Sequence, residues 1–283
     1  MDYPNMNKYW LFLLLTFLIS TNIEANTYEQ YKIPRTQVVP IQDTENNKQY
    51  ELYIKLPEGY AENPDAQYPV IYFADAVWHI ETLSAATAYL LEDVILVGIS
   101  WQKDIQDDVK QQYGEHVSRF SDYSFWKTSN PEHPKLKFGF ADNHLAFIRN
   151  EVFKYVENTY RASPDNRTYF GYSLSGLFGA YTLMTQANTF TNYIIGSPSV
   201  LLLAKYQVEI ASSSAKANVF ISRGDLEKEL TEHIETFVTS FQKHSDRKVS
   251  FTRAVIKGDH ETAFPETGIK SITWLANQLA KDD

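Results

Sequence analysis

The stretch F-G-Y-S-L-S-G at residues 170–176 decides the fold, because it joins two kinds of secondary structure through a serine. Residues 167–170 (R-T-Y-F) have the composition of a strand, and residues 177–184 (L-F-G-A-Y-T-L-M) that of a helix. Ser173 therefore stands on a sharp strand-to-helix turn with small neighbours. Such a turn lifts the hydroxyl clear of the sheet and directs N–H groups of the new helix toward an anion beside it.

The pattern around Ser173 is G-x-S-x-S-G, which differs at Ser175 from the nucleophile-elbow pattern G-x-S-x-G. Serine is the next smallest polar side chain, so Ser173 remains the candidate nucleophile. Ser175 is a second candidate. It belongs to the first turn of the helix, where simple packing of a small side chain is the alternative interpretation.

The segments around this turn predict an α/β fold with a mostly parallel sheet. Residues 69–73 and 94–99 are continuous apolar runs separated by a helical pattern, which is typical of a βαβ unit with doubly buried strands. Further elements are predicted as antiparallel strands at 36–42 and 49–55, strands at 191–197, 218–222 and 250–256, and helices at 79–91, 142–161, 227–242 and 269–280.

Two segments predict interruptions in this alternation. Residues 163–166 (S-P-D-N) should end the helix predicted at 142–161 and lead into the strand before Ser173. Residues 101–139 are long, polar and aromatic, and we predict no regular structure there. Loops of that length inside a domain are commonly lids or substrate walls.

The composition limits the classes of function. The chain has 283 residues, of which 43% are hydrophobic and 22% charged, as in a globular protein with a sizeable core. The net charge of -9 argues against nucleic acids and anionic membrane surfaces as partners. There is no cysteine, so disulfides are excluded. With no repeat or composition shift, we predict one mature domain over residues 26–283.

The first 25 residues predict a secretory signal peptide. Lys8 precedes the apolar run at residues 9–19, and Ala25 supplies a small residue for cleavage. The run is too short for a comfortable membrane span of about 20 residues. We therefore expect a periplasmic or secreted protein without a stable membrane span after cleavage. An uncleaved anchor is the alternative.

A serine nucleophile needs a base, and the base needs an orienting acid. His260 follows the last predicted strand and precedes the last helix, whereas the other histidines precede Ser173 or lie within or at the end of a helical pattern. The acid is expected after the strand at 218–222, where Glu227 is preferred and Asp225 is the alternative. The alternative interpretation is an exposed helix N-terminus, where the helix dipole favours acidic residues such as these two.

The N–H groups of Leu174 and Ala76 are the predicted donors of an oxyanion hole, since each follows a buried strand. Asp75 is expected either to cap the following helix or to face substrate. The sequence contains no H-E-x-x-H motif, cysteine cluster or glycine-rich phosphate loop. We therefore expect neither a metal nor a nucleotide cofactor.

These motifs resemble, in order, those of the Putative esterase family of α/β-hydrolases, which includes enterobactin (siderophore) esterases, feruloyl esterases and S-formylglutathione hydrolase. The segments that carry the resemblance are residues 56–60, 68–76, 167–178, 196–199 and 259–260. The resemblance is strongest to the siderophore esterases. It implies an α/β-hydrolase fold with helices on both faces, ester hydrolysis by Ser173 and His260, and no cofactor.

The resemblance also locates residues 118–123 (S-R-F-S-D-Y) near the substrate. The chain departs from the family at Ser175 and at residues 200–202 (V-L-L), where relatives often carry a tryptophan. Some siderophore-esterase relatives work with a Ser-His pair and little help from an acid, so the role of Glu227 stays open at this point.

The sequence thus predicts an exported serine esterase that acts on a small-molecule ester, and siderophore-type esters are one candidate class. An acyltransferase on the same scaffold and a non-catalytic binding module are the alternatives. The oligomeric state is not predicted.

Overall fold

The turn at Ser173 follows a central strand of an eight-stranded sheet. The computed structural model describes residues 31–128, 130–211, 215–242 and 248–281. The chain divides into two units, residues 1–32 and 33–283. Only residues 31 and 32 of the first unit are described, and neither lies in a helix or strand. The predicted signal peptide lies outside the described residues.

The strands alternate with helices along most of the chain. The strands are β1 (Thr36–Asp43), β2 (Lys48–Lys55), β3 (Tyr68–Phe73), β4 (Ile95–Ile99), β5 (Ala162–Tyr172), β6 (Asn192–Gly196), β7 (Lys216–Gly224) and β8 (Lys248–Ile256). The helices are α1 (Ala76–Leu90), α2 (Asp107–Tyr113), α3 (Arg119–Asp122), α4 (Ala141–Phe147), α5 (Phe153–Thr159), α6 (Leu174–Thr185), α7 (Leu201–Lys205), α8 (Leu230–Gln242) and α9 (Phe264–Leu279). A π-helical turn (Ile148–Val152) joins α4 to α5, and a 3-10 turn spans Ala187–Thr189.

The strand order in the sheet is β1-β2-β4-β3-β5-β6-β7-β8. The pairs β1–β2 and β2–β4 are antiparallel, and all other neighbouring pairs are parallel. The carboxyl ends of β3, β5, β6, β7 and β8 therefore meet at one edge of the sheet. The predicted mostly parallel sheet with antiparallel N-terminal strands is confirmed.

The hydrophobic core has two layers, one on each face of the sheet. In β3, Val70 and Tyr72 belong to one layer, while Ile71 and Phe73 belong to the other, and all four are fully buried. This alternation follows from the two-residue period of a strand. Because helices cover both faces, β3 is apolar throughout, which explains its continuous run in the sequence.

The predicted helix ends at Thr159, ahead of residues 163–166, but both segments contain regular structure that the sequence pattern does not predict. Residues 163–166 lie within β5, where the register against β3 shifts between Tyr68 and Val70. An irregularity of this kind accommodates Pro164 without ending the strand. Residues 101–139 contain the short helices α2 and α3, which sequence reasoning did not find because neither has an extended apolar face.

Helix boundaries differ from the predicted ones by a few residues. The last helix begins at Phe264, five residues before its predicted start, with Pro265 in its first turn. Proline favours the beginning of a helix, since its missing N–H has no partner to lose there. Among the described helices, none is both long enough and apolar enough to cross a membrane.

Candidate active site

Ser173 has a backbone conformation that L-residues rarely adopt, with φ 60° and ψ -118°. Its N–H donates to the carbonyl of Gly196 at 2.9 Å, which holds the turn against the neighbouring strand β6. A Cβ at Gly171 would lie 2.4 Å from the Ser175 carbonyl oxygen, and a Cβ at Gly176 would lie 2.8 Å from the Gly196 oxygen. The two glycines are therefore required by the close approach of backbone atoms.

His260 lies beside Ser173. Its Nε2 is 2.8 Å from Ser173 Oγ, and its Nδ1 is 2.6 Å from Glu227 Oε1. An ionised carboxylate only accepts hydrogen bonds, so Nδ1 carries the proton that is shared with Glu227. Nε2 is then an acceptor for the serine hydroxyl. The structure thus brings Ser173, His260 and Glu227 into one hydrogen-bonded chain.

Glu227 is buried, with its side chain 8% exposed, whereas the His260 side chain is 46% exposed. Burial acts to raise the pKa of Glu227, but hydrogen bonds from Ser197, the Gly224 N–H and His260 outweigh it and lower the pKa. The Ser197 hydroxyl and the Gly224 N–H each donate to Oε2 at 2.7 Å. Glu227 is therefore ionised at neutral pH and can orient the imidazole.

Asp225, the alternative acid, does not occupy the position beside His260 Nδ1 that Glu227 holds. It is exposed, and its carboxylate accepts a hydrogen bond from the N–H of Gly258 at 2.8 Å. It therefore braces the backbone of the loop that carries His260 and does not bond to the imidazole. The distinction between Glu227 and Asp225 depends on how the turn after β7 folds, which residue spacing alone does not determine.

Leu174 and Ala76 are the first residues of α6 and α1. Each helix starts within three residues of the end of the strand before it, β5 or β3. These two strands are neighbours in the sheet, and Phe170 of β5 pairs with Phe73 of β3. The first N–H groups of a helix have no acceptor within the helix, and the helix dipole favours negative charge there. Both predicted oxyanion donors thus lie at the same edge of the sheet as Ser173.

Asp75 does not cap α1, since its side chain makes no capping hydrogen bond. The carboxylate is fully buried and accepts hydrogen bonds from Trp101, Arg119 and Ser175. The expectation of a cap was wrong because Asp75 takes a left-handed conformation, φ 56° and ψ 44°, and turns inward. No local signal reveals this, since its partners lie 26 to 100 residues away in the chain.

Ser175 is fully buried and its hydroxyl contacts Asp75 and the backbone of Tyr172. It therefore lies below the surface on which Ser173 meets His260. This location argues against Ser175 as a nucleophile. Among the described residues, no group of three histidines or carboxylates is placed to hold a metal ion.

An aromatic cluster stands next to Asp75 and is formed by Trp78, Trp101 and His116. The Trp78 ring lies 4.7 Å from that of Trp101 and 5.4 Å from that of His116, measured between centroids. The Arg119 guanidinium lies over the Trp78 ring at 4.7 Å. Trp78 is 46% exposed, so the cluster presents an aromatic surface to solvent beside the start of α1. Trp101 and His116 lie in residues 101–139, whose pattern is typical of a lid or substrate wall, whereas Trp78 lies in α1.

Comparison with known proteins bears on this arrangement. The model of the family described as Putative esterase matches residues 44–282. The ferri-bacillibactin esterase BesA of Bacillus subtilis is 25% identical over 224 residues, which cover 72% of this chain and 75% of BesA. Among solved structures, the BES protein from Bacillus cereus superposes with a TM-score of 0.71 at 25% identity, over 88% of this chain and 98% of that one.

A second structure, an IroE-like serine hydrolase from Shewanella oneidensis, has a TM-score of 0.69 at 20% identity. The alignment covers 86% of this chain and 80% of that chain. These similarities identify the mostly parallel sheet described above as an α/β-hydrolase fold. Since the family model covers most of its length, this chain belongs to the Putative esterase family.

Proposed function

We propose that this esterase hydrolyses carboxylic esters through an acyl-enzyme on Ser173. The hydrogen-bonded chain from Ser173 through His260 to Glu227 is the observation that carries the proposal. His260 Nε2 removes the hydroxyl proton as Ser173 Oγ attacks the ester carbonyl. Glu227 stabilises the imidazolium that forms, because it is ionised and already hydrogen-bonded to Nδ1.

The attack places negative charge on the former carbonyl oxygen. The N–H groups of Leu174 and Ala76 are the donors for this oxyanion, since both start helices beside the nucleophile. His260 returns its proton to the leaving alcohol, and the ester bond breaks. A water molecule then loses its proton to His260 and attacks the acyl group, which releases the acid and restores Ser173.

The substrate we favour is a bulky ester with an aryl group. The exposed imidazole leaves the reacting atoms open to solvent, so a large substrate can approach. The aromatic cluster of Trp78, Trp101 and His116 offers a stacking surface near Ala76. BesA, a relative, is described as a ferri-bacillibactin esterase, and a siderophore-type ester is therefore the first class to assay.

We also propose that the protein is exported to the periplasm or secreted. The support is the order of features typical of a signal peptide: the positive charge of Lys8, the apolar run at residues 9–19 and the small residue Ala25. Expression of the full chain in a bacterial host, followed by fractionation and N-terminal sequencing, tests this. We expect the extracytoplasmic protein to begin near residue 26, and an intact N-terminus in the cytoplasm would contradict the proposal.

A fluorophosphonate probe tests the proposed chemistry. We expect the purified protein to be labelled on Ser173, as mapped by peptide mass spectrometry, and to hydrolyse p-nitrophenyl butyrate. Ser173→Ala should lose both properties. Ser199→Ala removes an exposed serine at the same edge of the sheet and should retain both. Wild-type turnover by Ser173→Ala would overturn the assignment of the nucleophile.

A further inference from the structure

The carboxylate of Asp75 connects three separate segments. Arg119 donates to it twice, from Nε at 2.7 Å and from Nη2 at 3.0 Å. Trp101 Nε1 donates at 2.7 Å. The Ser175 hydroxyl lies 2.8 Å from Oδ2. Asp75 is fully buried, so these bonds replace its hydration and hold it in a left-handed conformation that is costly for a non-glycine residue.

The Ser175 hydroxyl has a single proton and two acceptors within reach, Asp75 Oδ2 at 2.8 Å and the Tyr172 carbonyl at 2.9 Å. A carboxylate is the stronger acceptor, so the proton goes to Asp75. The oxygen lone pairs meanwhile accept the N–H of Tyr172 at 3.0 Å. Ser175 is thereby fixed to the turn of the nucleophile on one side and to Asp75 on the other.

These two residues flank the proposed oxyanion donors. Asp75 directly precedes Ala76, and Ser175 directly follows Leu174. The bond between Asp75 and Ser175 therefore ties together the starts of α1 and α6, the two helices whose first N–H groups would hold the oxyanion. The two residues lie 100 positions apart in the chain, and their bond adds a side-chain contact to the backbone pairing of β3 with β5.

We propose that Ser175 and Asp75 are positioning residues that set the distance between the Leu174 and Ala76 N–H groups. Arg119 and Trp101 complete the link by fixing the other side of the Asp75 carboxylate. The inference rests on the proposed function and extends it. It also explains why a serine stands where the elbow pattern has glycine, since glycine has no hydroxyl to bond Asp75.

The link acts before substrate arrives. An oxyanion hole stabilises a transition state because its donors are already in place and need no reorganisation. A looser link should therefore weaken binding of the transition state more than binding of the ester itself. That difference separates a positioning role from a purely structural one.

Ser175→Ala tests the inference, with Ser271→Ala as the matched control. Ser271 is also a fully buried helical serine, but its hydroxyl donates to the backbone carbonyl of Gly268 within α9, at 2.9 Å. We expect Ser175→Ala to lower kcat about tenfold, less than the 10²–10³-fold cost of deleting a whole oxyanion donor. KM should stay within about twofold, and affinity for an alkyl boronic acid should fall in proportion to kcat/KM.

A double-mutant cycle with Asp75→Asn adds a second readout. If the two residues act as one unit, Ser175→Ala should cost little in kcat once Asp75 has been changed. Thermal unfolding of every variant separates these effects from loss of fold. Equal kcat values for Ser175→Ala and Ser271→Ala, or boronic acid affinities that do not change, would overturn the inference.

Failure of the proposed function gives a different result. In that case the wild-type protein would neither react with the fluorophosphonate probe nor hydrolyse any ester. If the wild-type protein is active and Ser175→Ala matches it in kcat and in boronic acid affinity, only the positioning role is lost.

Discussion

The hydroxyl of Tyr172 donates a hydrogen bond to the backbone carbonyl of His260 at 2.7 Å. Tyr172 directly precedes Ser173, so the residue next to the proposed nucleophile also holds the loop of the proposed base. The two segments lie 88 positions apart in the chain. Burial raises the pKa of Tyr172 to about 12, so the hydroxyl keeps its proton and its donor role across the range in which the enzyme would work.

Tyr172→Phe should therefore loosen the His260 loop. We expect kcat to fall about two- to twelvefold, since one neutral hydrogen bond contributes about 0.5–1.5 kcal/mol. Tyr193→Phe is the control, because Tyr193 is buried and also donates to a backbone carbonyl, that of Ala187. Steady-state hydrolysis of p-nitrophenyl butyrate measures both variants. Equal kcat values would contradict a role for the Tyr172 bond.

Glu227→Gln should lower kcat about 10²–10⁴-fold with little change in KM, because a neutral amide cannot stabilise the imidazolium. Asp225→Asn is the matched control at the same turn and should stay within about threefold of wild type. Stopped-flow measurement of acylation compares the two. A larger loss for Asp225→Asn than for Glu227→Gln would reverse the assignment of the acid.

Trp78→Ala should weaken binding of aryl esters selectively. Loss of one aromatic contact, about 0.5–1.5 kcal/mol, predicts about a two- to twelvefold rise in KM for ethyl benzoate, against little change for ethyl butyrate. Tyr89→Ala removes an aromatic side chain that is 86% exposed near the other end of α1 and serves as control. An equal rise in KM for both esters would argue against a stacking surface.

Stability should fall as the pH drops from about 6.5 to about 4. Burial lowers the pKa of His79 to about 4, although Asp75 and the Ala74 carbonyl favour the protonated form, and Arg119 opposes it. The unfolded chain binds this proton below about 6.5, whereas the folded protein does not until the pH is near 4, so falling pH favours unfolding. Over that pH interval, this difference in pKa lowers the free energy of unfolding by roughly 3 kcal/mol.

Urea unfolding at pH 7 and pH 4 measures this effect. His79→Phe keeps an aromatic ring against Phe264 and Phe170 but has no proton to bind. Protonation of carboxylates lowers the free energy of unfolding equally in both proteins. Between pH 7 and pH 4, that free energy should therefore fall by roughly 3 kcal/mol less in the variant than in wild type. Identical losses would show that His79 does not control the acid sensitivity.

The sheet, the proposed nucleophile and the proposed base follow from local signals in the sequence, whereas residue spacing does not separate Glu227 from Asp225. Apolar runs mark β3 and β4 because both faces of the sheet are covered, and Ser173 and His260 each follow a predicted strand. The Asp75 network has no such signal, because Asp75 bonds to Trp101, Arg119 and Ser175, which are distant from it in sequence and adjacent only in the folded protein. Pro164 misled the prediction of β5, since an irregular pairing tolerates a residue that a regular ladder rejects.

The strand β8 lies at the edge of the sheet and is the last to be synthesised. His260 follows it, 87 positions after Ser173. Ser173 and both proposed oxyanion donors instead follow the central strands β5 and β3. On the proposed mechanism, the centre of the sheet therefore holds the nucleophile and its edge holds the base. Local opening of β8 alone would separate His260 from Ser173 and stop catalysis while the nucleophile and the oxyanion donors stay in place.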